Sequence, residues 1–194
     1  LYVIAGSWTL LWGSLGLAFA YMYSARPYRL KARPVVDVIT HAMGGGALQV
    51  TLGYFAYDRS PGLAWTVIIA MFFGSVYGQF YNQLDDYEAD RRAGLRNTTQ
   101  LIGRNAASAL MYAAVGLAAA LLLLAIVRGV FPPWLSTVLF TAGLGCSMFI
   151  WKHDMRGNDA DFFQAFQIPV LLVINIAVLL WFAWELGLPA PGTA

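Results

Sequence analysis

Two short polar segments in an otherwise apolar chain hold the residues able to do chemistry. One reads Tyr81-Asn82-Gln83-Leu84-Asp85-Asp86-Tyr87-Glu88-Ala89-Asp90-Arg91-Arg92-Ala93-Gly94. Asp86 and Asp90 stand four residues apart, which on a helix puts both carboxylates on one face. Such a pair repels itself by about 0.2–0.5 kcal/mol when exposed, and by more where water is scarce. Two readings offset that cost. In one, the segment is a helix surface laced with ion pairs, and Glu88 with Arg92 at i,i+4 fits it. In the other, the aspartates hold Mg²⁺, which takes oxygen ligands and is often bound by one or two carboxylates plus substrate phosphates. Neither aspartate has a basic residue at i+4, which favours the metal.

The other segment, Tyr23-Ser24-Ala25-Arg26-Pro27-Tyr28-Arg29-Leu30-Lys31, runs on to Arg33 and so concentrates four cations. They fit a topology signal or a contact with anionic lipid. They fit equally a phosphate clamp, since Arg grips phosphate oxygens bidentately and Lys as a point charge. A carboxylate-held cation facing a cationic clamp is the arrangement a diphosphate requires.

The elements that must position these segments are membrane helices. Of 194 residues, 59% are hydrophobic and only 11% charged, less than half of the roughly 25% typical of soluble domains. That excludes an ordinary soluble domain, a disordered chain and a nucleic-acid binder. Six apolar runs reach the roughly 20 residues needed to cross a bilayer, at about 1–22, 35–57, 62–84, 106–128, 132–152 and 164–186. The runs are too long and too uniform for β-barrel strands. The fold class is therefore all-α: a polytopic transmembrane bundle, with 1–194 as one transmembrane domain. The chain opens at Leu1 inside an apolar run and reads as N-terminally incomplete. Gly44-Gly45-Gly46 and Ala118-Ala119-Ala120 suit close helix packing in lipid.

Charge gives the orientation. Loops 23–34, 85–105 and 152–163 hold ten of the twelve Lys and Arg residues, and the intervening loops hold only Arg59 and Arg128. The positive-inside rule places the richer side, with both polar segments, in the cytoplasm. The third span continues into the acidic segment without Gly or Pro and is expected to remain helical through it. Its polar stripe, Ser75, Gln79, Asn82, Asp86 and Asp90, then lines a cavity open to the cytoplasm. Asp37 and His41, at i,i+4 in the second span, make a proton-transfer or acceptor-binding pair, or a structural hydrogen bond. Gln164, Gln167 and Asn175 suit the same cavity or interhelical bonding. Trp65, Trp134, Trp151 and Trp184 lie near span ends, as interface anchors do. Cys146 reads as a packing residue, Pro169 as a kink, and Asn158–Asp161 as a solvated loop.

These residues resemble the UbiA-type intramembrane prenyltransferase superfamily. Asp86-Tyr87-Glu88-Ala89-Asp90, with Arg91, Gly94, Thr98-Thr99 and Ile102-Gly103, is similar to its second aspartate-rich motif. Tyr23-Ser24…Pro27…Leu30-Lys31 resembles its Tyr/Lys loop, in wording closest to members that act on chlorophyllide, homogentisate or carotenoids. The family has nine helices, and the six spans would correspond to helices four to nine. The part carrying the first aspartate-rich motif, NDxxDxxxD, would be absent. The resemblance implies transfer of an isoprenyl group from a polyprenyl diphosphate to a lipophilic acceptor (aromatic, pigment or carotenoid-like), with Mg²⁺ assisting ionisation. It implies that Asp86 and Asp90 are catalytic and bind metal, and that Lys31, Arg29, Tyr23 and Asn82 bind diphosphate. It also implies that residues 1–194 alone are inactive. The site would lie in the cell membrane with its loops cytoplasmic, and no protein partner is inferable. The competing functions are a membrane transporter, which would place ionisable residues near the midplane, and a catalytically inactive scaffold.

Overall fold

A computed structural model describes residues 7–55, 62–152 and, in the last expected span, 172, 173, 175–177, 179, 180 and 183. Every regular element among the described residues is helical, as the composition requires. The chain separates into two compact units, residues 1–128 and 129–194. The first contains both polar segments.

In that unit α1 spans Ser7–Ser24, α2 Val36–Ala42, α3 Leu48–Phe55, α4 Trp65–Asp85, α5 Tyr87–Arg92, α6 Thr98–Ile102 and α7 Arg104–Val127. α1, α4 and α7 follow the first, third and fourth expected spans. The second is divided, because a π-helical segment, Met43–Ala47, joins α2 to α3. In the second unit α8, Pro133–Lys152, follows the fifth expected span. The described residues of 164–186 are helical, while Gln164, Gln167, Pro169, Trp184 and the 158–161 loop lie outside the described residues.

Among the described residues two helical stretches, Gly62–Asp85 and Arg104–Val127, are long and apolar enough to cross a membrane. They are also the most extensively packed pair. The reason is legible on α7: Ala107, Met111, Ala114, Ala118 and Ala125 are buried at successive spacings of four, three, four and seven, one face of the helix. Small side chains on that stripe let two backbones approach closely where lipid supplies no hydrophobic drive. Only Ala118 of the Ala118–Ala120 trio faces inward. The other faces of α7 present Leu110, Leu117, Leu123 and Val127 outward, with Val127 76% exposed. Apolar groups in that position are suited to lipid rather than water.

The glycine triplet does the same for α4. A Cβ on Gly46 would overlap the Met71 carbonyl oxygen and lie 2.8 Å from Ser75 Cβ. Only hydrogen fits there, so the π segment lies backbone to backbone against α4 beside Ser75. A small core of Val38, Phe80, Leu84, Ala107 and Met111, flanked by Tyr77, Tyr81 and Ile102, fixes the C-terminal end of α4 between α2 and α7.

Candidate active site

Of the polar stripe of α4, Gln79, Asn82, Asp86 and Asp90 line a cavity, whereas Ser75 contacts His41 instead. The helix does not run unbroken through the acidic segment: α4 ends at Asp85, Asp86 takes φ −80° and ψ 4°, and α5 starts at Tyr87. The register survives, since Asp86 N–H donates to the Asn82 carbonyl (2.9 Å) and Asp90 N–H to that of Asp86 (2.8 Å). Restarting the helix has an electrostatic reason. Carboxylates at a helix C-terminus oppose the macrodipole, whereas in a first turn they are favoured. The break places Glu88 and Asp90 in the first turn of α5 and Arg91 and Arg92 in its last.

A cavity of about 500 Å³ opens beside the stripe. Asn82, Asp86 and Asp90 line one wall, and Tyr23, Arg29 and Lys31 line another. All six residues singled out in the sequence thus share one space, although three come from the end of α1 and its following loop and three from α4 and α5. Arg29 holds a left-handed backbone (φ 40°, ψ 54°) and caps the short 3₁₀ turn Leu30–Ala32 that carries Lys31. Gln79 Nε2 donates to the Tyr23 hydroxyl oxygen at 3.1 Å. That contact uses a Tyr23 lone pair and leaves its proton for another acceptor.

Asp90 is the electrostatically tense member of the wall. Burial pushes its carboxyl above the usual value of 3.8, and the charge of Asp86 adds to the push. The amide of Asn97, whose Nδ2 donates to Asp90 Oδ2 at 2.7 Å, and the more distant Lys31 draw it partly back. The donor set suits a hard divalent cation. Two carboxylates, one with an oxygen already fixed by an amide, would share a positive charge that relieves their mutual repulsion. Among the described residues no cluster of three or more His, Cys, Asp or Glu is present.

Beneath this wall lies a buried polar lock that sequence reasoning missed. The Asp37 side chain is fully buried. Its Oδ1 accepts from Val38 N–H (2.8 Å) and from the Thr98 hydroxyl. Its Oδ2 accepts from Gln83 Nε2 (2.7 Å) and Thr98 N–H (2.8 Å). Gln83 Oε1 in turn accepts from Thr99 N–H (3.0 Å) and the Thr99 hydroxyl (2.9 Å). Val35, strained at φ 70°, donates its N–H to Thr98 Oγ1 at 2.7 Å. Asn97 caps α6 through its Oδ1, which accepts from Gln100 N–H at 2.8 Å, while its Nδ2 holds Asp90. One hydrogen-bonded layer thus ties the end of the Arg29/Lys31 loop to the segment that orients Asp90. Such buried polar groups are tolerated because they are satisfied.

Two expected pairings are corrected. Asp37 and His41 share a helix face but do not pair: the loop at 97–99 claims Asp37, and His41 Nδ1 lies 3.1 Å from Ser75 Oγ. Glu88 does not bridge to the Arg92 guanidinium. Its carboxylate lies 3.6 Å from Arg104, whose guanidinium also sits over the Tyr87 ring, and Arg92 Nε donates to the Glu88 backbone carbonyl. Both members of the Glu88–Arg104 pair are more than half exposed, so the bridge contributes little.

Residues 1–171 match the family model described as the UbiA prenyltransferase family. Among curated proteins, the chain is 23% identical over 144 residues to 1,4-dihydroxy-2-naphthoate octaprenyltransferase of Bacillus subtilis, covering 72% of this chain and 46% of that protein. It is 30% identical over 106 residues to lycopene elongase/hydratase of Corynebacterium glutamicum, covering 54% and 37% respectively. The chain thus spans less than half the length of these relatives. Two solved structures of a UbiA homolog from Archaeoglobus fulgidus share the fold. The form bound to GPP and Mg²⁺ gives a TM-score of 0.69 at 20% identity, covering 94% of this chain and 64% of that one. The form bound to Cd²⁺ gives 0.67 at 22% identity, covering 91% and 65%. With the family model spanning most of its length and the helical fold shared, this chain belongs to the UbiA prenyltransferase family.

Proposed function

We propose that these residues form the diphosphate end of a membrane-embedded prenyltransferase, which moves an isoprenyl group from an isoprenyl diphosphate to a lipophilic acceptor. The observation that carries the reading is the shared cavity, with Arg29 and Lys31 on one wall and Asp86 and Asp90 on the other. A diphosphate is a large anion that needs both kinds of wall at once. The activities of the two curated relatives, a naphthoate octaprenyltransferase and a lycopene elongase, support transfer to an aromatic or polyene acceptor. Mg²⁺ bound beside GPP in the Archaeoglobus fulgidus homolog supports Mg²⁺ as the cation.

In this reading Asp86 and Asp90 hold Mg²⁺, which neutralises charge on the departing diphosphate. Arg29 and Lys31 bind phosphate oxygens, Arg29 as a fork and Lys31 as a point charge. The Tyr23 proton, not needed by Gln79, donates to the same anion, and the Asn82 amide faces it from α4. These donors are fixed before substrate arrives, so they stabilise developing charge without reorganising. The buried lock through Asp37 holds the two walls in register. The apolar helices around the cavity solubilise the prenyl tail and exclude the water that would otherwise quench an allylic cation. Residues 1–194 act within one transmembrane domain of the cell membrane, with loops 23–34 and 85–105 on the cytoplasmic face.

The test is transfer of a radiolabelled prenyl group by the full-length protein in native membranes, with naphthoate and carotenoid acceptors offered in turn. Mg²⁺-dependent product that is abolished by EDTA and lost in Asp86→Ala and Asp90→Ala supports the reading. Activity untouched by either substitution refutes it.

A further inference from the structure

The inner end of the cavity contains a second chemical device that diphosphate binding does not use. His41 lines the cavity alongside Tyr23 and Gln79, with the two aromatic rings 6.0 Å apart between centroids. It stands on the last turn of α2, directly before the π-helical segment. Its Nδ1 lies 3.1 Å from Ser75 Oγ, and Ser75 Oγ also lies 3.3 Å from the His41 carbonyl oxygen. The Ser75 hydroxyl has one proton. Donated to the carbonyl, it leaves Oγ to accept from Nδ1–H, and the neutral imidazole then carries its lone pair on Nε2. No hydrogen bond from a described residue reaches Nε2. Gly45 leaves room beside this pair: a Cβ there would lie 3.3 Å from Ser75 Oγ and 3.6 Å from His41 Cε1. With the hydroxyl proton on the carbonyl, Ser75 selects the tautomer whose basic nitrogen is turned away from it.

From this geometry, and resting on the prenyltransferase reading, we infer that His41 is a catalytic base whose Nε2 removes the proton that ends the carbocation sequence. The balance is simple. The allylic C–O bond breaks and its electron pair leaves with diphosphate. A carbon–carbon double bond of the acceptor, in an alkene or an aromatic ring, supplies the pair for the new C–C bond, and the positive charge moves to the acceptor. His41 Nε2 takes the adjacent proton, and the C–H pair restores the double bond. The position of His41, on the far side of Gln79 from the aspartates along the α4 stripe, suits a group that meets the acceptor rather than the diphosphate. The chemistry selects an acceptor with a nucleophilic carbon bearing, or next to, a removable hydrogen.

The inference is separable from the reading beneath it because an allylic cation without an acceptor still reports on a nearby base. Full-length protein is incubated with geranyl diphosphate and Mg²⁺ alone. A positioned base diverts the cation to hydrocarbon by proton loss, and water gives the alcohol. Diphosphate release reports ionisation, and the hydrocarbon-to-alcohol ratio reports the base, whatever the overall rate. The expected result is a ratio at least tenfold lower in His41→Ala and in His41→Gln. This is a conservative fraction of the 10²–10⁴ that general bases commonly contribute. Ser75→Ala, which keeps the ring but releases its tautomer, is expected to fall between them and the unaltered protein. Thermal melting in detergent confirms that each variant is folded, and a misfolded His41→Ala leaves His41→Gln and Ser75→Ala to decide. A ratio unchanged in the folded His41 variants, with diphosphate still released, overturns the base and leaves the prenyltransferase reading standing. No Mg²⁺-dependent diphosphate release from the unaltered protein overturns both.

Discussion

Replacing Asp37 by alanine tests the buried lock, and the structure sets the size of the effect. Asp37 accepts four hydrogen bonds with no access to water. Removing the carboxylate does not cost the same for each donor. The Thr98 hydroxyl can rotate, whereas Val38 N–H, in the first turn of α2, has no helical carbonyl to fall back on. Thr98 N–H and Gln83 Nε2 cannot turn elsewhere, and each buried donor left unsatisfied costs about 1–3 kcal/mol. With the cavity added, these unsatisfied donors give a loss of about 3–5 kcal/mol. For a chain of this size each kcal/mol moves the melting temperature by about 2–4 °C, so Asp37→Ala should melt roughly 10 °C lower. Asp37→Asn should recover only part, because whichever oxygen becomes NH₂ then faces two donors. The assay is thermal melting in detergent followed by tryptophan fluorescence, with exposed Glu88→Gln as the control. A melting point for Asp37→Ala within about 2 °C of the unaltered protein, against that expected shift, would refute the lock.

Other expectations concern the acidic wall and the helix contact behind it. Without divalent cation, Asp86→Asn should stabilise the protein by about 0.2–0.5 kcal/mol by removing a like-charge neighbour at i,i+4, and the stabilisation that the proposed site predicts from added Mg²⁺ should shrink. The sign of the pH effect follows from the raised carboxyl of Asp90. The folded chain binds this proton more tightly than the unfolded chain, so its contribution is full below the ordinary value of 3.8 and is lost as pH rises through the raised one. In metal-free melts begun near pH 4, the unaltered protein should lose this increment with rising pH and Asp90→Asn should not. A parallel profile for the two proteins would count against the electrostatic account. Gly46→Ala should destabilise by about 1–3 kcal/mol through overpacking, because its Cβ has only the Met71 carbonyl and Ser75 to meet. Gly53→Ala, with open space around it, should be tolerated in the same melts.

What the sequence made legible followed from local periodicity. Gln79, Asn82, Asp86 and Asp90 are neighbours on one helical face whatever the rest of the chain does, so their shared wall was readable, though Ser75 of the same stripe meets His41 instead; the apolar runs gave the helices. The pairing of that wall with Tyr23, Arg29 and Lys31 was readable from loop charge, which places both segments on one side of a membrane. The lock was not. Its contacts join Asp37 to Gln83 and Thr98 across 46 and 61 residues, and nothing in the spacing of either partner points to the other. Local rules also misdirected where two partners compete for one group. Asp37 with His41, and Glu88 with Arg92, are well-spaced helix pairs, yet Thr98 and Gln83 claim the first carboxylate and Arg104 of α7 the second. The signal that was present lay in composition: Gln83, Asn97, Thr98 and Thr99 are polar residues flanking membrane helices, and such residues, when buried, must find partners.

The central claim is that one cavity holds a cation on Asp86 and Asp90 and a diphosphate on Arg29 and Lys31 together. Its most direct test is the affinity of full-length protein for an isoprenyl thiolodiphosphate, which binds but ionises poorly, measured with and without Mg²⁺ in three proteins. Unaltered protein should bind at least tenfold more tightly with Mg²⁺, that is by about 1.4 kcal/mol. Lys31→Gln should bind more weakly yet keep that Mg²⁺ enhancement, and the double variant Asp86→Asn with Asp90→Asn should lose it. An undiminished Mg²⁺ enhancement in the aspartate variant would place the cation elsewhere and contradict the account.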